Sequence, residues 1–205
     1  MRWRWDQGRL GYFQYDEIQK IAQALADFDG HTLPGAGNRD TLRNTIANYT
    51  TLTFPAGPNT LWRNYGRVFG VQMLAANVNG LLVCTDLCKE IAKGNVSSDD
   101  YFLHFATRFY FSYPSFQGYS TVARQIFPVC AIIKLLLAKF IRKKPTFTTV
   151  EEIADLVVGN DLDGTEPIAT YTKLHSSGLK VSRNTRKTTT RICNHVQPAI
   201  ILEMG

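Results

Sequence analysis

Three features of the sequence predict a mainly α fold with one small β-hairpin, an α+β chain. Apolar residues recur at helical spacing through most of it, as in Ile18, Ile21, Ala22, Leu25 and Phe28. Helix-capping and helix-stopping residues separate these runs. Gly66–Gly94 breaks the pattern, with a tight turn at Asn77–Gly80 between two short strands. Its second strand, Leu81–Cys84, is followed by an N-cap at Thr85, a first-turn Asp86, Lys89 and Lys93, and a stop at Gly94. A hairpin running into a short helix is how winged-helix units are assembled, so the expected architecture is a winged-helix-like helical domain.

The other elements follow in order. Trp3 and Trp5 alternate with Arg2 and Arg4, a period of two that suits a short strand. Asp16 caps a helix reaching Phe28. His31–Arg39 is a glycine- and proline-bearing loop, and Asp40 caps a helix over Thr41–Tyr49 with Leu42, Ile46 and Tyr49 on one face. Asn59 caps a further helix, Thr60–Phe69. After the hairpin, Ser97-Ser98-Asp99-Asp100 starts an aromatic helix reaching Phe111. The longest helix is predicted from Ser120 to Lys144, with a kink at Pro128. Its run Val129–Leu137 is apolar almost all round, which places it at the centre of the core. Thr148–Glu152 opens another helix, to Val158. From Ser176 onward Ser, Thr, Asn and basic residues dominate, and the chain ends on the apolar run Pro198–Leu202, as a truncated terminus of a longer chain would. Three regions result: helical over 1–58, winged-helix-like over 59–175, and a basic, irregular tail over 176–205.

At 205 residues and 44% hydrophobic composition the chain can bury a core. Its net charge is +6, but residues 1–179 hold 18 basic and 16 acidic side chains, so most of the excess lies in the last 26 residues. A near-neutral body removes the simple argument from basicity to nucleic acid. Cys84, Cys88, Cys130 and Cys193 make no CxxC pair, and Cys84 and Cys88, in apolar surroundings, read as reduced core thiols. The N-terminus lacks a secretory apolar core, and Ile126–Ile141 is too short and too charged to span a bilayer. A cytoplasmic location without membrane contact is the expectation.

Catalytic patterns are sparse. There is no GxSxG, HExxH or acidic-x-Lys triplet of a metal-dependent nuclease, and the four histidines are scattered. Asp161, Asp163 and Glu166 cluster without calcium-loop spacing and read as a solvated acidic loop. Leu33–Arg39 leads into a helix start, where backbone N–H groups with Arg39 and Arg43 could meet a phosphate. Arg63 and Arg67, and then Lys89 and Lys93, are spaced four apart on either side of the hairpin, as phosphate contacts would require.

Several stretches together resemble a known family. They are Trp5-Asp6-Gln7-Gly8-Arg9 with Tyr12-Phe13 and Asp16; Leu82-Val83-Cys84-Thr85-Asp86-Leu87; Asp100-Tyr101-Phe102 with Pro114-Ser115-Phe116 and Phe127-Pro128; and Gly159-Asn160 with Gly164-Thr165-Glu166 and Tyr171. In this order they resemble the N-terminal, helical DNA-recognition part of some type II restriction endonucleases, over about residues 1–175. The resemblance implies duplex-DNA recognition in a defence enzyme, with a nuclease domain or subunit as partner. Magnesium is expected only where that nuclease domain is present, and no cofactor or catalytic residue is assigned to this chain. DNA contacts are expected from Arg39, Arg43, Arg63, Arg67, Lys89 and Lys93. The alternative is a helical interaction subunit docking to a catalytic partner through the Tyr101–Phe111 aromatics and the Trp-rich N-terminus.

Overall fold

The structure is a computed structural model. It describes residues 14–32, 36–50, 69–111, 122, 124–174 and 181–204, with only the backbone described for 36–40 and 195–204. The described residues are mainly helical with a two-stranded antiparallel sheet, so the mainly α, α+β expectation holds. Described residues up to Tyr101 belong to one compact unit and those from Phe102 onward to another. The boundaries expected at 58/59 and 175/176 fall outside the described residues, as do the N-terminal strand and most of the Thr60–Phe69 helix.

The first unit opens with α1 (Tyr15–Ala26), which forms because Ile18, Ile21, Ala22 and Leu25 share one face, and all four are fully buried. Gln14, not Asp16, holds its N-cap; Asp16 and Glu17 lie in the first turn, where they complement the helix dipole. The next helix, α2 (Ala36–Tyr49), begins before Asp40 rather than at it. Leu42 and Ile46 are buried as the spacing predicts, whereas Tyr49 stays exposed.

The hairpin pairs β1 (Ala75–Val78) with β2 (Leu81–Cys84), Val78 opposite Leu81 and Ala75 opposite Cys84. Asn79 and Gly80 take φ of 52° and 85°, the two left-handed residues a tight hairpin turn needs to match strand twist. The far edge of β2 is closed: Gly30 N–H donates to Leu82 O at 2.8 Å, and Leu82 N–H to His31 O at 3.0 Å. Thr85 then caps α3 (Asp86–Ala92), accepting from Cys88 N–H at 3.0 Å while its hydroxyl donates to Met73 O at 2.6 Å. Gly94, at φ 79°, ends the helix, with N–H bonds from Gly94 to Ile91 O and from Asn95 to Glu90 O. Cys84 and Cys88 are buried thiols facing the Leu25 and Ala22 carbonyls. The strand, the Thr85 cap, the first-turn Asp86 and the Gly94 stop expected over Leu81–Gly94 are all present.

A fourth helix, α4 (Ser98–Arg108), stops three residues short of Phe111, which instead forms an isolated antiparallel bridge with Ile126. Tyr101, Phe102, Phe105, Phe109 and Phe111 are all buried. Phe105 stacks on Phe109 at 4.7 Å between centroids, and Phe109 meets Phe111 edge-on at 5.6 Å.

In the second unit α5 (Pro128–Ile141) corrects the long-helix expectation. Pro128 lies in the first turn, where its missing N–H has no intrahelical acceptor to lose, so it starts the helix instead of kinking it. The helix is not central all round either. Val129, Ile132 and Leu135 are buried, but Leu137, Phe140 and Ile141 are 39%, 66% and 56% exposed. Apolarity on every side does not tell which side finds a partner.

The C-terminus of α5 closes as a Schellman turn, with Lys143 N–H on Phe140 O and Lys144 N–H on Lys139 O, both at 2.9 Å. Its left-handed residue is Lys143, at φ 54°, where glycine is unstrained. Lys143→Gly should therefore raise stability by about 0.5–1 kcal/mol, the left-handed cost for an L residue less glycine's extra chain entropy. A urea midpoint unchanged or lowered in the variant would contradict this.

The helix α6 (Val150–Val158) opens with a capping box between Thr149 and Glu152 and continues as a π-helix from Ile153. A short helix, α7 (Ile168–Thr172), follows the acidic loop. The tail expected to be irregular contains α8 (Arg183–Met204), a helix of 22 residues. Thr189 and Ile192 are fully buried, and Arg186 pairs with Asp155 at 3.3 Å. The hydroxyls of Thr188, Thr189 and Thr190 donate to the carbonyls four residues back, so polar side chains that favour turns are accommodated within the helix.

Candidate functional site

The expected DNA-contact residues separate into three groups. Arg63 and Arg67 lie outside the described residues, and Arg39 is described only as backbone within α2. Arg43, on the same helix, donates from its guanidinium to Asn44 Oδ1 at 3.2 Å. Gly37 and Asn38 are already helical, so the phosphate-cradling loop expected there is shorter than the sequence suggested.

Lys89 and Lys93 do come together. They line a shallow groove of about 460 Å³ with Gln23, Ala26, Asp27, Tyr49 and Ala92, formed by α1, α2 and α3. Each is already engaged. Lys89 pairs with Asp29 at 2.8 Å and Lys93 with Glu90 at 2.6 Å. Asp29 also accepts from Cys84 N–H at 2.8 Å, so it ties the end of β2 to α3. That backbone bond, and then Lys89, hold the Asp29 carboxyl below the ordinary carboxylate range, while Asp29 raises the Lys89 pKa. Asn95 and then Lys93 lower that of Glu90. Asp27, Asp29 and Glu90 thus set three carboxylates against two lysines. Nothing in the sequence points to Asp29 as a partner, since 60 positions separate it from Lys89.

The hairpin presents a different surface. Burial alternates along β2: Leu82 and Cys84 face the core, Leu81 and Val83 face out. Opposite them, Val78 and Ala76 also face out. Val78, Leu81 and Val83 are 47%, 37% and 41% exposed. A strand pair buried on one face usually carries polar residues on the other, and this one does not. A two-residue turn makes Val78–Leu81 the hydrogen-bonded pair and Asn77–Leu82 a non-bonded one. The main-chain N–H and C=O of Asn77 therefore point away from β2, on an edge where no described residue pairs with them.

The acidic loop of the second unit is a correction. Asp163 is buried, not solvated, and its carboxylate pairs with Arg124 and accepts from the Thr165 hydroxyl and N–H. Glu166 accepts from Asp163 N–H at 2.9 Å, Gly164 N–H at 3.0 Å, Tyr171 Oη at 3.2 Å and Arg124 at 3.2 Å. Lys134 Nζ donates to the Gly164 and Glu166 carbonyls at 2.6 and 2.7 Å. Burial raises the Asp163 pKa, but the Thr165 and Arg124 bonds outweigh it and bring it to about 2. The carboxylate oxygens are spent on this network. Among the described residues no group of His, Cys, Asp or Glu is arranged to hold a metal ion.

His104 is partly buried on α4, and burial followed by Arg108 lowers its pKa. No helix among the described residues is long and apolar enough to cross a membrane. No family model, curated protein or solved structure matches the chain.

Proposed function

We propose that this chain is an interaction module whose hairpin receives an extended strand of a protein partner. The observation that carries the reading is the exposed apolar face of Ala76, Val78, Leu81 and Val83 beside the edge at Asn77, where no described residue pairs. An added strand would bond to the Asn77 main chain and lay alternate apolar side chains beside Val78 and Ala76. Tyr101, Phe102, Phe105, Phe109 and Phe111 are buried in the core of the fold, which leaves them unavailable as anchors. A catalytic subunit is the partner this reading favours.

The test is photocrosslinking from position 83 in the source cell, followed by reconstitution of the captured polypeptide with the purified chain. Leu81→Asp/Val83→Asp should weaken that binary complex at least tenfold while leaving the circular dichroism unchanged. Equal affinity for the double variant would dispose of the hairpin as the docking face.

A second reading is the winged-helix-like recognition of duplex DNA by a restriction-type module. It is favoured by the convergence of Lys89, Lys93 and the exposed Tyr49 on one groove. Exposed ion pairs contribute little because water and salt screen them, so a phosphate could displace Asp29 or Glu90. Under this reading Lys89→Glu/Lys93→Glu weakens duplex binding severalfold in a low-salt anisotropy titration, and the hairpin variant does not.

A further inference from the structure

In the second unit, α5, α6 and α7 enclose a cavity of about 450 Å³, within the range of small-molecule sites. Its apolar lining comes from Leu135, Ala138, Leu156, Tyr171 and Leu174. Lys139, Arg142, Lys144 and Glu152 supply the charge. Lys139 and Glu152 neutralise each other at 2.9 Å, and the same ammonium donates to Phe147 O at 2.6 Å. Hydrogen bonds from Lys139, Thr149 and Thr148 keep the Glu152 pKa low against the burial that raises it, so this carboxylate stays ionised and paired. Arg142 and Lys144 are exposed and, among the described residues, have no ion-pair partner. Positive charge with no counterion among the described residues therefore sits over an apolar chamber. Phe147, 68% exposed, lies on the same rim.

We infer that this cavity binds a small amphiphile: an alkyl or aryl tail among Leu135, Ala138, Leu156 and Leu174, with a carboxylate or phosphate head at Arg142 and Lys144. Charge complementarity selects the head. A strongly hydrated free anion gains nothing from the apolar lining, and a neutral hydrocarbon leaves both cations without a counterion. The inference is independent of the hairpin reading, which concerns the other unit.

Isothermal titration calorimetry with monomeric decyl phosphate tests it on the full chain. Saturable one-to-one binding in the micromolar range is expected, with affinity falling about threefold to fourfold for each methylene removed from the tail. Decanoate should bind as well, and inorganic phosphate alone should show no binding below millimolar concentration. Arg142→Glu/Lys144→Glu, both at exposed positions, should weaken decyl phosphate at least tenfold. Ala138→Leu, which intrudes on the chamber, should weaken long tails more than short ones, a pattern that simple unfolding would not give. Vesicles of phosphatidylcholine and phosphatidylglycerol distinguish a bilayer from a free amphiphile. Sedimentation with vesicles but no binding of monomeric decyl phosphate would overturn the cavity as the site. So would affinity independent of tail length, or unchanged in the charge-reversed variant.

Discussion

Gly164→Ala should destabilise the protein by about 3 kcal/mol or more. A Cβ built at Gly164 lies 2.4 Å from Phe127 O and 3.1 Å from Ala131 N, both main-chain atoms at the start of α5. Neither can swing aside as a flexible side chain would. The residue also holds φ at 90°, where an L side chain is strained whatever the space around it. Overpacking typically costs about 1–3 kcal/mol and a left-handed backbone about 1–2 kcal/mol, and here both act on one atom. The loop would have to move off α5, breaking the Phe127 N–H bond to Asp163 O at 2.7 Å and the Lys134 bond to Gly164 O. Chemical denaturation of the purified variant measures the loss; a stability within 1 kcal/mol of wild type would mean the loop is far softer than its contacts indicate.

The second large effect is on acid stability. The folded Asp163 pKa of about 2 lies below the ordinary aspartate value. A carboxyl depressed on folding stabilises the native state wherever it is ionised in both states, that is, above its unfolded pKa. That contribution, about 2 kcal/mol for a shift of this size, fades as pH falls from the ordinary aspartate range toward 2. Asp163→Asn should remove it at neutral pH and leave the Arg124 guanidinium facing a neutral amide. The variant's stability should be lower than wild type at pH 7, and the gap should narrow steadily below pH 4. A gap that stays constant down to pH 2 would show that the Asp163 charge contributes little, with lost packing as the cause instead.

The legible parts of the sequence were those encoded in adjacent residues. Thr85, Asp86 and Gly94 mark α3 because a cap, a first-turn carboxylate and a left-handed stop act over one or two turns. The same is true of the Thr149–Glu152 box. Pro128 misled because proline is equally at home in a first turn and at a kink, and only the acceptor available four residues earlier distinguishes them. The run Val129–Leu137 misled because all-round apolarity has no direction. The lysines on α3 were correctly placed on one side, yet their chemistry depends on Asp29, which the fold brings in from 60 positions away. Asp163 and Glu166 stand close together in the sequence, but their burial is not legible there, because Arg124 and Lys134 arrive from 30 to 42 positions upstream. Local signals fix the elements; the charge state of a site is set by partners that no spacing rule reaches.

The π-turn from Ile153 to Val158 has a consequence for how this unit tolerates changes in length. Gly159 N–H bonds to Ala154 O, five residues back, so the helix holds one residue more than an α-turn would. An extra residue in an α-helix normally rotates everything after it by about 100°. Absorbed as a wider turn, it leaves the Thr149 box upstream and the Asp163 loop downstream each in place. The segment behaves as a slack coil in an otherwise fixed register, a place where single-residue insertions and deletions can accumulate between two anchored ends.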